Sequence, residues 1–177
     1  MIALKEALMR AMETYFARDA KRISHARKVT EYAEELLQRE EGDYVIIIGA
    51  SVLHDIGIHQ AEKKYGSTIG KYQEQEGPPI ARGILSRLRV EQSQIEEICQ
   101  IIAHHHSPGV INTKNFKILY DADWLVNLKD EYDIRDRSKL NNIIERVLLT
   151  QSGKTLAREI YLPGWRQCPQ SQLGSSR

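Results

Sequence analysis

Apolar residues recur three and four positions apart along almost the whole chain, a spacing that predicts helices rather than strands. Leu4, Leu8, Ala11, Met12 and Tyr15 mark one face of a first helix over 3–17. In "SHARKVTEYAEELLQRE" Ser24 is placed to cap a second helix. His25, Val29, Tyr32, Ala33, Leu36 and Leu37 then fall on a single stripe, so His25 faces inward with core residues. The run "DYVIIIGASVLHDIG" is ambiguous, since its β-branched residues favour a strand and its length a buried helix. A capping residue at Asp43 and a stop at Gly57, just past His54 and Asp55, favour the helix.

Residues 58–77 are polar, contain glycine and have no firm periodicity, so a loop or partly helical lid is expected there. Pro78 and Pro79 suit the first turn of a new helix continued by Ile80, Ile84 and Leu88. "SQIE" at 93–96 reads as a capping box for a helix that runs into His104, His105 and His106 and is ended by Pro108 and Gly109. Ile95, Ile98, Cys99 and Ile102 share one face of it, which His105 and His106 continue while His104 points away. "NFKILYDADWLVNL" forms a further apolar helix, and 138–161 a last one. The pattern defines an all-α, compact single-domain helical bundle over 1–162, followed by a tail at 163–177 expected to be poorly ordered toward its end.

Composition narrows the classes of function. The 177 residues suffice for one sizeable core, and 41% hydrophobic with 28% charged residues is ordinary for a soluble globular protein. A net charge of +1 argues against a broad nucleic-acid surface. "MIALKEALMRAM" lacks the charge-then-apolar layout of a signal peptide, and the strongly apolar stretch 45–53 is too short to span a bilayer, so a cytoplasmic protein without membrane partners is expected. Cys99 and Cys168 are too few for a disulfide framework and read as plain thiols.

All six histidines, His25, His54, His59, His104, His105 and His106, lie in the middle of the chain, with Asp55 beside His54 and with Asp121 and Asp123 downstream. His25 alone reads as an ordinary core histidine. The His54-Asp55 pair behind an apolar run is different, because burying both groups costs several kcal/mol unless each is paired or metal-bound. Imidazole and carboxylate donors together suit divalent ions such as Mn, Fe, Co, Ni, Zn or Mg, and the absence of cysteine from the set argues against a structural zinc finger.

These residues resemble the pattern of the HD-domain superfamily of metal-dependent phosphohydrolases: a histidine in "SHARKV", the pair in "LHDIG", the histidines of "IIAHHHSP" and the aspartate of "DADWL", spanning 24–128. The resemblance implies that His25, His54, Asp55 and Asp123 hold a principal divalent ion, with Asp121 as the alternative to Asp123. Many members hold a second ion through a further histidine between the pair and the later histidines. This chain has none between His59 and His104, and Glu76 is the nearest oxygen donor, so His104, His105 and Glu76 are the candidates for a second site. His105 belongs to either adjacent histidine pair in the run.

Function follows as an expectation. A metal-dependent phosphohydrolase would act on a nucleotide or similar small phosphorylated compound through metal-activated water, with Asp55 and His105 at the reacting atoms. Lys63, Lys64 and Lys71 would meet the phosphate charge, and His59 would orient substrate. The absence of a Gly-Tyr-Pro stretch after the histidines in "HHHSPGVIN" disfavours a cyclic-di-GMP phosphodiesterase, and "HDIGIHQ" lacks the Glu-Asp of guanosine tetraphosphate hydrolases. Dinucleoside polyphosphate hydrolysis and a non-catalytic metal-binding regulatory module are the alternatives, and a homo-oligomer is compatible with either.

Overall fold

The periodicity becomes nine helices and no strand among the described residues, 2–164, of a computed structural model. They are α1 (Ile2–Phe16), α2 (Ala20–Leu37), α3 (Tyr44–Leu53), α4 (Ile58–Tyr65), α5 (Gly70–Arg87), α6 (Gln92–Ile102), α7 (Lys114–Glu131), α8 (Arg137–Val147) and α9 (Gln151–Tyr161). The expectations for Cys168 and for most of the tail lie outside the described residues.

The most apolar helix, α3, is buried along almost its whole length, from Ile46 to Leu53. Helix α2 packs on α3 and α7, α6 closes over α3, and α1 covers α2 and α3. Leu8, Met12, Val29, Ala33, Leu36, Ile47, Leu53, Ile98 and Leu125 are wholly withdrawn from water, and each large aliphatic side chain among them contributes about 1.5–3 kcal/mol. The stretch Tyr44–Tyr65 could cross a membrane by length and composition, yet 78% of its most apolar window is buried inside the protein.

Several boundaries depart from the sequence reading, each for a local reason. Helix α2 starts at Ala20 rather than after Ser24, because Asp19 caps it by accepting the Arg22 N–H; Ser24 is an exposed interior position. Asp43 does cap α3, taking the Val45 and Ile46 amides. That helix ends at Leu53, before Gly57, and His54 and Asp55 lie in the turn that follows. The expected lid is mostly helix: α4 is closed by Gly66 in the left-handed region at φ 63°, and α5 begins four residues later.

Pro78 and Pro79 do not open a helix but lie within α5. Tertiary packing overrides their cost, since Gln73, Gly77 and Ala81 form a buried face at four-residue spacing. Gly57 lies against this face so closely that a Cβ would collide with the Gln73 carbonyl and the Gly77 amide. Helix α6 is entered from Glu91, and the Ser93 hydroxyl bonds the Glu91 carboxylate instead of making a capping box. It ends at Ile102, before Pro108, so the three histidines occupy turns. The last expected helix is two, α8 and α9, broken at Leu148–Thr150 where Thr150 caps α9 by accepting the Gly153 N–H at 2.9 Å.

Candidate metal centre

Four elements bring their histidines and aspartates to one buried point. His25 comes from α2, His54 and Asp55 from the turn after α3, His105 from the turn after α6, and Asp123 from α7. His54 is 1% exposed, His105 3%, Asp55 7% and Asp123 7%. His25 Nε2 stands 3.2 Å from His54 Nε2, 3.0 Å from Asp123 Oδ1 and 3.7 Å from Asp55 Oδ2. His54 Nε2 in turn lies 3.6 Å from both Asp55 Oδ2 and Asp123 Oδ1.

These separations fit a shared cation. With metal–ligand bonds of about 2.1 Å, neighbouring donors stand about 3.0 Å apart on an octahedron and about 3.4 Å apart on a tetrahedron. Hydrogen bonding alone satisfies the group poorly, because a single proton between the two imidazole nitrogens at 3.2 Å cannot also serve Asp123 well. The second nitrogens are already assigned. His54 Nδ1 donates to the Ser51 carbonyl at 2.9 Å and His105 Nδ1 to the Ile102 carbonyl at 2.7 Å, so each Nε2 presents a lone pair inward. His105 Nε2 is buried without a hydrogen-bond partner. Two nitrogens and two carboxylate oxygens form the mixed donor set that borderline and hard divalent ions accept.

The electrostatics are those of mutually facing opposite groups. Burial works against the charged form of Asp55, but His54, His105 and His25 outweigh it and hold the carboxyl well below the usual range. Asp123 is lowered likewise, burial being outweighed chiefly by the hydrogen bond with His25. For His25 burial is outweighed by Asp123 and Asp55 and the pKa rises, whereas for His54 burial prevails and keeps the ring neutral.

A second donor group adjoins the first: Asp55, His105 and His106. The other carboxylate oxygen, Asp55 Oδ1, faces His105 Nε2 at 3.7 Å. One edge of His106 meets solvent while its ring packs 3.9 Å from that of His105; loss of water on that side, with the neighbouring His105, pushes its pKa down to about 4. Neither His104 nor Glu76 belongs to either group. His104 is partly exposed, and the Glu76 carboxylate is taken by Lys64 Nζ and the Tyr65 hydroxyl, both at 2.8 Å.

Asp121 is two residues from Asp123, about 200° around the helix, and faces away from the cluster. It accepts hydrogen bonds from Leu149 N, Thr150 N and Thr150 Oγ1 at 2.7, 2.8 and 2.6 Å. His59 is held by Asp19 at 2.9 Å and stacks on Tyr15, outside both donor groups. Lys63 and Lys71 are exposed and, like Lys64, line neither of the two cavities that reach the cluster.

The sequence reading missed three kinds of residue. Lys21 and Lys129 border a cavity of about 560 Å³ that opens on His25; Lys21 lies one turn before His25 on its face, a signal the sequence carried. Asn127 donates to Asp123 Oδ1 at 2.9 Å, again one turn away. Glu74 left no local signal. From α5 it accepts the His106 amide at 2.9 Å and the Ser107 hydroxyl at 3.1 Å, clamping the histidine turn, and Gly70 beside it lets the His106 ring approach. Glu74→Ala is expected to lower metal affinity or kcat about 10- to 100-fold, as loss of a residue supporting a ligand does, with little change in melting temperature. Metal titration and thermal denaturation of the same sample check this.

A helical fold thus brings histidines and aspartates to one buried point, a donor set of the kind that holds a divalent ion. Residues 22–128 match the family model of the HD domain, and the chain belongs to that family. Its structure is similar to a crystal structure described as a predicted HD superfamily hydrolase from an uncultured Thermotogales bacterium, at 26% identity and a TM-score of 0.66 over 88% of this chain and 83% of that one. Comparison with curated proteins gave no match.

Proposed function

We propose that the protein is a phosphohydrolase of the cytoplasm, cleaving a phosphate ester or anhydride of a nucleotide or similar small phosphorylated compound. The observation that supports this most is the donor set: His25 and His54 each face Asp55 and Asp123 at 3.0–3.7 Å, with the His54 tautomer fixed from behind by Ser51. These four residues would hold the principal ion, and Asp55, His105 and His106 a second. A bound divalent ion supplies Lewis acidity toward a phosphoryl oxygen and activates water near neutral pH.

The chain's own groups supply the rest. Asp55, facing His54 through Oδ2 and His105 through Oδ1, would serve both donor groups as an ionised carboxylate. His105 Nε2, kept free by the Ile102 carbonyl, would take the second ion through its lone pair, or the phosphate when the ring is protonated. Lys21 and Lys129 offer positive charge to phosphoryl oxygens at the groove beside His25, in place of the sequence candidates Lys63, Lys64 and Lys71. Phosphate and the alcohol or shortened nucleotide leave as products.

The test is metal content per chain, followed by hydrolysis of a panel of nucleotides, phosphomonoesters and phosphodiesters with Mn, Co, Ni, Fe and Mg. Release of phosphate or nucleotide by wild type, lost in Asp55→Ala, supports the proposal. A fully metallated protein inert across the panel overturns it.

A further inference from the structure

A second cavity at the cluster, of about 150 Å³ and distinct in its lining from the lysine groove, lies along α7. Buried His105 and Asp123 border it together with His106; Tyr120, Trp124 and Asn127 line it further along, and exposed Glu131 stands at its mouth. Building on the phosphohydrolase reading, we infer that this cavity is the specificity site for the leaving group, taking a single planar ring against Trp124 with its hydrogen-bond donors toward Glu131.

Size, shape and charge all point to this ligand. A space near 150 Å³ accommodates one aromatic ring. The indole of Trp124 is braced rather than loose: it stacks on Tyr132 at 6.1 Å with 25° between planes, and Tyr120 stands at 6.3 Å. A braced indole presents a rigid flat surface and loses little entropy on binding. Asn127 joins the wall to the reacting end through its hydrogen bond with Asp123, fixing the register between them. The helical rise places Glu131 about 12 Å beyond Asp123 along the axis, so the cavity runs from the donor cluster to an exposed carboxylate. Glu131 makes no hydrogen bond or ion pair among the described residues, so its carboxylate is available to accept from ring amino groups or sugar hydroxyls. The same charge repels a second phosphate in this direction. A ring-bearing monoester therefore enters here with its phosphate toward Asp123, and an anionic chain does not.

The test compares cytidine monophosphate with glycerol phosphate, a monoester without a ring, in wild type and in Trp124→Ala, Trp124→Phe and Glu131→Ala. Trp124→Ala is expected to raise KM for cytidine monophosphate about 5- to 100-fold, as loss of a base-stacking aromatic does, and to leave glycerol phosphate within about threefold. Trp124→Phe restores most of the difference. Calorimetric titration with cytidine reads the site without turnover, and Glu131→Ala, a surface change, is expected to weaken that binding about tenfold even if Trp124→Ala fails to fold. Equal effects of Trp124→Ala on both esters, or cytidine binding unchanged by Glu131→Ala, overturn the inference while leaving phosphohydrolase activity standing. Cytidine binding that depends on Trp124 and Glu131 in a protein that hydrolyses no ester supports the ring site and rejects the reaction.

Discussion

Asp123→Ala is expected to lose the principal metal and, with it, hydrolysis by roughly a thousandfold or more, since both activated water and phosphoryl polarisation depend on the ion. The carboxylate is buried and bonded to His25 and Asn127, so its removal deletes one donor and unties two others. His54→Ala is expected to do the same through the neighbouring nitrogen. Elemental analysis of purified variants should show less than a tenth of the wild-type metal, while circular dichroism stays helical. A variant that keeps full metal and full rate would reject Asp123 as a ligand.

Asp121→Ala is expected to do the opposite, sparing the metal and weakening the fold by about 2–4 kcal/mol, the range for orphaning buried donors. Leu149 N, Thr150 N and the Thr150 hydroxyl all lose their acceptor. For a chain of this length the melting temperature should fall by roughly 5–15 °C. The loss carries a pH signature. Burial pushes the Asp121 pKa up to about 6 against the pull of its three donors, so the folded chain keeps a proton that the unfolded chain releases near pH 4. The contribution of this carboxyl to stability is thus fully present below about pH 4 and declines as pH rises through 6. The penalty of Asp121→Ala should be larger at pH 5 than at pH 8, as denaturant unfolding of both proteins would measure.

The pair also shows what a sequence can and cannot carry. Helical periodicity announces α1 and α7, whereas the apolar run of α3 is ambiguous by pattern and is decided by a local cap at Asp43. The break between α8 and α9 is invisible to it, since the group that takes the Leu149 and Thr150 amides comes from Asp121, 28 and 29 residues away. Continuity of α5 through Pro78 and Pro79 is likewise set by a tertiary partner, the Gly57 turn. At the centre, His54-Asp55 and His105 stand out because polar groups directly behind apolar runs demand partners. Glu74 did not, because its role depends on where α5 lies against the histidine turn. Lys63 and Lys71 attracted notice by sequence proximity to the pair, whereas Lys21 and Lys129 reach the site by helix geometry.

Two of the metal-facing segments begin where helices stop: His54 is the C-terminal cap of α3, and His105 follows the end of α6 by three residues. Helix C-termini carry the negative end of the peptide dipoles, each equivalent to roughly half an elementary charge. Both terminal turns deliver their carbonyls, Ser51 and Ile102, to the backs of these imidazoles. The backbone itself therefore biases this point toward positive charge before any aspartate is counted, and a substitution that frays the end of α3 or α6 should weaken cation binding without touching a ligand.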